Sequence, residues 1–509
     1  MALGCLLSAV TATGLLVGCS HGPASRISYA GAPCPQPNYP GVPQAELGSS
    51  YSCGYLTVPE NRDNPNSRTI RIFVARVKAA SNTPKPDPIV FLAGGPGSAG
   101  TLTAPAVVAA GMNADRDVIF VNQRGTLHSD PHLSCPEMDE FTSQAVQLVF
   151  QAPATADLDA AAVAACRKRL SSTGVNFASY TTRENAADIA DLREKLGIDQ
   201  WNVYGVSYGT DLAQQLLRDH PKGIRSMVLD SVVAPQLNLV ERWWEAPASG
   251  LAAIFLACAD QPACAAAYPN LLAVFLDTVN KLTQTPLEVT TSTPTGGSTK
   301  VTIDGSKVVP LALEWSADPA KAVDIPRMIF TLSRGDGALA GAGIAKAAPS
   351  GPERGLLGAG LALGAYCQEM ANWTTPDQAL SQAKLAMPGL PDSVLRITPT
   401  GSWIFRECEA WGLPARSNTA DTLPVSSNVP TLIMSGSFDS STAPQWVREV
   451  TPGLSNSVAM RFPGVGHGVI PSSACAQKIM TAFVDNPRLD VDQSCIASTT
   501  MPTFSLPQA

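Results

Sequence analysis

One serine in the chain stands in a setting suited to nucleophilic chemistry. Gly205-Val206-Ser207-Tyr208-Gly209 fits a G-x-S-x-G turn, preceded by the apolar run Trp201-Asn-Val-Tyr204 and followed by a helical pattern. Glycines in such a turn allow close backbone approach and leave the serine hydroxyl exposed above the strand end. The backbone N–H of Tyr208, at the head of the following helix, is placed to donate to an oxyanion. Ala93-Gly94-Gly95-Pro96-Gly97 follows a second apolar run, and its glycines let backbone N–H groups face the same point, with Gly95 as the second donor. No Lys-Ser/Thr pair follows that loop, which argues against a phosphate cradle.

Such a serine needs a base, and the chain has five histidines. His21 lies in a Gly/Pro/Ser-rich stretch, His128 and His132 precede the serine, and His220 sits late in the helix after it. His467 alone falls in a Gly-rich loop after a late strand, in Val465-Gly466-His467-Gly468. Asp439 is the single acid between the apolar run Thr431–Met434 and Trp446. It is expected to accept from the imidazole, fix its tautomer and stabilise the imidazolium as Ser207 loses its proton. This chemistry calls for no metal or organic cofactor.

Elements must hold these three groups together. Thr69–Val77 alternates with period two, as a half-buried edge strand does. Pro88–Ala93, Val118–Val121, Trp201–Tyr204, Met227–Leu229 and Thr431–Met434 are short apolar runs bounded by turn residues, suited to a parallel sheet covered on both faces. Between them, Thr182 is expected to cap a helix whose Ala186, Ile189, Leu192 and Leu196 share one face before Gly197. Alternating strands and helices indicate a doubly wound, mostly parallel α/β sheet. From about 235 to 425 that rhythm gives way to helical stretches and a hairpin over Leu287–Ile303. The expected organisation is a core over 44–234 and 426–509, with 235–425 as a mainly helical cap inserted before the strand that bears the acid.

Composition narrows the setting. Net charge is −7, charged residues make up 15% and there is no Lys/Arg run, which argues against a nucleic-acid partner. Ala2–Gly18 is small or apolar, and Leu16-Val17-Gly18-Cys19 resembles a bacterial lipobox, although no Lys or Arg precedes Arg26. Residues 1–19 are therefore expected to be a lipoprotein-type signal with Cys19 lipidated, and 20–43 a tether. That address predicts an extracytoplasmic protein, membrane-anchored or secreted. Apart from Cys5 and Cys19, ten cysteines remain, an even set that reads as disulfides in an exported chain. Sequence neighbourhood suggests Cys34–Cys53, Cys135–Cys166, Cys258–Cys264, Cys367–Cys408 and Cys475–Cys495. Without a C-x-x-C pair, a zinc site is not expected.

Gly94-Gly-Pro-Gly97, Gln123-Arg-Gly-Thr126, Gly205–Gly209, Gly436-Ser-Phe-Asp439 with Thr442 and Pro444, and Gly466-His-Gly468 resemble the proline iminopeptidase and tripeptidyl aminopeptidase family of α/β-hydrolase serine peptidases. Ser129–Pro136 and the Cys367/Cys408 pair resemble its secreted tripeptidyl branch. Departures are Asn122 for the commoner Asp, Leu127 for a Gly, and Ala93 for a histidine. The resemblance implies an α/β-hydrolase fold and release of residues from a free peptide N-terminus. Such an enzyme needs an anion for the substrate ammonium, a pairing that strengthens when water is excluded; Glu369 and Glu409, beside Cys367 and Cys408, are the candidates. The same machinery serves an esterase or lipase, with the cap deciding the substrate. A non-catalytic binding lipoprotein on a hydrolase scaffold is the third reading.

Overall fold

The computed structural model describes residues 27–35, 50–293, 296–349, 355–416, 420–488 and 490–507. The expected signal segment, Cys5 and Cys19 lie outside the described residues. Eleven strands are described: β1 (Ser28–Ala32), β2 (Tyr51–Pro59), β3 (Thr69–Val77), β4 (Ile89–Leu92), β5 (Val118–Asn122), β6 (Trp201–Val206), β7 (Ile224–Asp230), β8 (Leu287–Ser292), β9 (Ser298–Ile303), β10 (Thr431–Gly436) and β11 (Ser457–Phe462). Nine form one sheet in the order β1-β2-β3-β5-β4-β6-β7-β10-β11. Pairings are antiparallel from β1 through β3 to β5, and parallel from β5 onward. Leu287–Ile303 forms the separate β8–β9 hairpin.

Period two divides each central strand between two cores. Val90, Leu92 and Val203 pack into one, with Val163 of helix α1 (Pro153–Ser171), Ile189 of α2 (Thr182–Lys195) and Leu212 of α3 (Tyr208–Asp219). Ile89, Phe91 and Tyr204 pack into the other, with Ile479 and Phe483 of the late helix Ala474–Asp485. Strands buried on both sides need apolar residues at every position, and β4 is buried throughout. A third core, around Phe275, Ile303 and Ile329, lies in the mainly helical segment between β7 and β10.

Three local expectations change. Thr69–Val77 is an inner strand, because β2 and β1 add outside it. Its alternation holds over the first residues and gives way to burial on both faces from Phe73 to Ala75. Residues 28–32, inside the expected tether, are strand β1 paired to β2, and Cys34 is bonded to Cys53. The cap of α2 is Thr181, whose hydroxyl accepts from the Glu184 N–H at 3.3 Å, one residue before the expected Thr182. The other disulfides join Cys135 to Cys166, Cys258 to Cys264, Cys367 to Cys408 and Cys475 to Cys495.

Arg124, in the loop after β5, is fully buried. Its Nε and Nη2 donate to both oxygens of Asp188 at 2.8 Å, and Nη1 donates to the carbonyls of Glu60 (2.8 Å) and Ser179 (2.7 Å). One guanidinium thus ties the end of β2, the β5 loop and α2. Arg124→Met is predicted to lower the unfolding free energy by about 3 kcal/mol or more, since it strands buried acceptors and part of an acid's partner set. Arg124→Lys should recover less than half, because a point charge cannot reproduce the fork. Denaturant unfolding with disulfides intact checks this, and a loss of under about 1 kcal/mol for Arg124→Met contradicts it.

Candidate active site

Ser207 closes β6 and opens α3 with φ 58° and ψ −129°, a conformation costly for a side-chain-bearing residue. Its N–H donates to the Asp230 carbonyl at 3.0 Å, and its carbonyl accepts from the Thr210 N–H at 2.8 Å and hydroxyl at 2.6 Å. Glycine is required around it. A Cβ on Gly209 would lie 2.1 Å from the Leu92 carbonyl oxygen, and one on Gly94 would lie 2.7 Å from Ser207 Cβ and 3.2 Å from its Oγ. The loop after β4 is therefore pressed directly against the serine side chain.

His467 follows β11, and Asp439 follows β10. His467 Nδ1 lies 3.0 Å from Asp439 Oδ1 and 3.1 Å from Oδ2. Asp439 is almost fully buried, while the imidazole keeps 21% of its side-chain surface exposed. The carboxylate also accepts from the N–H groups of Ser441 (2.9 Å) and Thr442 (2.8 Å) and from the Thr442 hydroxyl (2.7 Å). Burial alone would raise the Asp439 pKa, but His467 and these donors outweigh it and hold it below the usual carboxylate value. Burial pulls the His467 pKa down, but the Asp439 carboxylate, followed by Asp230, raises it above 6.5.

Several supporting residues carried no motif signal. Asp230, at the end of β7, is fully buried and accepts from the N–H groups of Val469 (2.8 Å) and Ile470 (3.1 Å). Ser231 Oγ accepts from the Gly468 N–H at 3.0 Å. These two residues hold the loop that presents His467. A signal was present: an acid directly after the apolar run Met227–Leu229, in the strand that follows Ser207 along the chain. On the other side, Gln123 Nε2 donates to the Ala93 carbonyl at 2.9 Å, and Tyr366 Oη donates to the Gly95 carbonyl at 2.8 Å. Gly95 itself has φ 109°. Asn122, at the variant position, accepts from Thr101 N–H and hydroxyl at 2.9 and 3.0 Å.

The two candidate ammonium anchors stand differently. Glu369 keeps 8% of its side-chain surface exposed, with Oε1 accepting from the Thr182 N–H (2.8 Å) and Oε2 from its hydroxyl (2.6 Å). Arg416 lies 3.7 Å away. Burial raises the Glu369 pKa to about 7. Both oxygens are thus engaged in holding the start of α2. Glu409 is exposed on the helix Ile404–Trp411, where water weakens any ion pair. Its neighbour Glu407 is the inward acid, sharing the helix's buried stripe with Ile404, Cys408 and Trp411. It is hydrogen-bonded to Asp159 of α1; burial raises both pKa values, and for Glu407 the Asp159 charge adds to it.

His467 is predicted to titrate above 6.5 when its ring is followed by NMR in isotope-labelled protein. In Asp439→Asn the dominant raising partner is gone, burial prevails and the midpoint should fall. A wild-type midpoint at or below 6.5 contradicts this balance.

Comparison with known proteins agrees with the fold. Residues 87–267 match the family described as alpha/beta hydrolase fold, and residues 394–495 match that described as TAP-like protein. A protein named tripeptidyl aminopeptidase from Streptomyces coelicolor is 31% identical over 212 residues, covering 39% of this chain and 38% of that protein. Serine protease Hip1 from Mycobacterium tuberculosis is 26% identical over 216 residues, covering 41% and 40%. A proline iminopeptidase from Xylella fastidiosa is 35% identical over 68 residues, covering 13% and 20%. The matched stretch thus spans well under half the length of these curated relatives. The chain has the α/β-hydrolase fold with a TAP-like segment toward its C-terminus, and it is similar at modest identity to proteins named tripeptidyl aminopeptidase and proline iminopeptidase.

Proposed function

We propose that the chain is a serine peptidase that releases short peptides from a free amino terminus. The observation that carries the reading is the contact between His467 Nδ1 and Asp439, on a loop held by the carboxylate of Asp230, the residue whose carbonyl also holds the strained Ser207. In this reading Ser207 Oγ attacks the scissile carbonyl while His467 Nε2 takes its proton. Asp439 holds the tautomer that leaves Nε2 free to accept, and stabilises the imidazolium. The N–H groups of Gly95 and Tyr208 receive the oxyanion, and the Gln123 and Tyr366 bonds to the loop carbonyls keep it preorganised. The imidazolium then protonates the leaving amine, and water deprotonated by His467 hydrolyses the acyl-enzyme.

The similarity to relatives named tripeptidyl aminopeptidase supports a peptide substrate. Five disulfides fit an oxidising, extracytoplasmic compartment. Attachment through a lipid on Cys19 completes the proposal; among the described residues no helix is long and apolar enough to cross a membrane. A carboxylesterase is the second reading, favoured by a cavity with apolar walls, Trp243, Trp244, Leu380 and Leu395 among them, between the helical segment and α1.

The test uses a three-residue peptide amide reporter, once with a free amino group and once acetylated. Turnover of the free form, loss on acetylation, and a fall of roughly a thousandfold or more in kcat for Ser207→Ala are expected. Equal turnover of both forms removes the exopeptidase claim. Hydrolysis of short esters with no cleavage of either amide moves the assignment to an esterase.

A further inference from the structure

His467 lies between two restraints. Before it, a Cβ on Gly466 would fall 2.0 Å from the Ser316 carbonyl oxygen, so this side is fixed by backbone contact with the helix Gly305–Ala317. After it, the consecutive N–H groups of Gly468, Val469 and Ile470 end on two adjacent side chains. Ser231 Oγ accepts the first at 3.0 Å, and Asp230 Oδ1 and Oδ2 accept the others at 2.8 and 3.1 Å. The Ser231 hydroxyl in turn donates to Asp230 Oδ1 at 3.3 Å, and the Tyr204 hydroxyl donates to Oδ2 at 3.2 Å. The same two residues reach the elements of the other two groups. The Asp230 carbonyl accepts from the Ser207 N–H at 3.0 Å, and the Ser231 N–H donates at 2.9 Å to the carbonyl of Met434 in β10, the strand that leads to Asp439.

Ser231 takes up this position at φ 60°, with 1% of its surface exposed. That is the left-handed region, where a Cβ crowds the carbonyl that follows and glycine is favoured. Asn270 shares the region at φ 54°, but it is exposed at a helix start and asparagine is a type that tolerates it. Serine is not. A glycine at 231 would relax the backbone and keep the N–H for Met434. It could not supply the hydroxyl. Strain of this kind persists beside reacting groups where the surrounding structure enforces it and the site uses it.

Resting on the reading of Ser207 and His467 as nucleophile and base, we infer that Ser231 is a positioning residue for the proposed reaction. Its hydroxyl, with the Asp230 carboxylate, fixes the His467 loop in register with the Ser207 turn, and the strained backbone is kept for the sake of that hydroxyl. Without it the Gly468 N–H loses its acceptor. The imidazole then gains freedom relative to both Ser207 and Asp439, and proton transfer from the serine slows while nothing that binds substrate is removed. A small misplacement of a reacting group is costly in rate.

The experiment compares Ser231→Gly with Ser231→Ala, and uses Asn270→Gly as the control for relief of strain elsewhere. Both Ser231 variants lose the hydroxyl, but only glycine fits the backbone, so Ser231→Gly should melt at the higher temperature of the two. Both should nevertheless lower kcat by roughly tenfold to a hundredfold, with KM within about twofold of wild type, on whichever peptide amide or short ester the protein turns over. The rate of labelling by a fluorophosphonate should fall by a similar factor. The NMR midpoint of His467 should move down in both, as its contact with Asp439 loosens. Asn270→Gly should leave all of these at wild-type values. Wild-type kcat, labelling and midpoint in folded Ser231→Gly overturn the inference, and so does a loss confined to Ser231→Ala that follows its melting temperature. Absence of labelling in the wild-type protein removes the nucleophile reading instead. The role of Ser231 is then judged on the His467 midpoint alone, and an unmoved midpoint in Ser231→Gly overturns it.

Discussion

Backbone contact at the turn between β6 and α3 is the constraint on which the candidate site depends. A Cβ at Gly205 would fall 2.3 Å from the Gly209 carbonyl oxygen, and one at Gly209 would fall 2.1 Å from that of Leu92. Only at this separation does the turn seat against β4 and lift Ser207 above the sheet. The positive φ of Ser207 costs on the order of 1–3 kcal/mol. Bonds from its N–H to Asp230 and from Thr210 to its carbonyl hold it there. The strain is local, while the structure that sustains it is spread over three strands.

Two buried polar networks transmit that positioning outward. On one side, Gln123 and Arg124 are consecutive: the first holds the carbonyl of Ala93 beside the Gly94-Gly95 loop, and the second locks the β5 loop to β2 and α2. On the other, Asp230 anchors the turn of Ser207 through its carbonyl and the loop of His467 through its carboxylate. Serine and histidine are therefore referred to the same residue at the end of β7. Asp439 completes the arrangement from β10, held by donors from Ser441 and Thr442 of its own loop and by His467, which keep it ionised despite burial.

The central strands were legible because strands buried on both faces must be apolar at every position, and the turn glycines because close contact admits no other residue. The outer strands were not. β1 lies in the stretch that reads as a tether until β2 supplies its hydrogen bonds, and β2, with Gly54 and several polar residues, carries no strand pattern of its own in the sequence. Without them Thr69–Val77 reads as an edge. The acids of the helical segment show a different limit. Glu407 and Glu409 both flank Cys408, and helical phase decides between them, since positions 404, 407, 408 and 411 face inward. For Glu369, proximity in sequence to a cysteine said nothing about Thr182, which binds it from a helix 187 residues earlier.

The central claim is that Ser207 is the nucleophile, activated by His467. A fluorophosphonate that phosphonylates activated serines, followed by peptide mapping, tests it most directly. The account predicts a single adduct on the peptide that contains Ser207, formed by the folded protein, abolished in Ser207→Ala and strongly slowed in His467→Ala. An adduct on another residue, or none on folded protein whose thermal transition is intact, contradicts it.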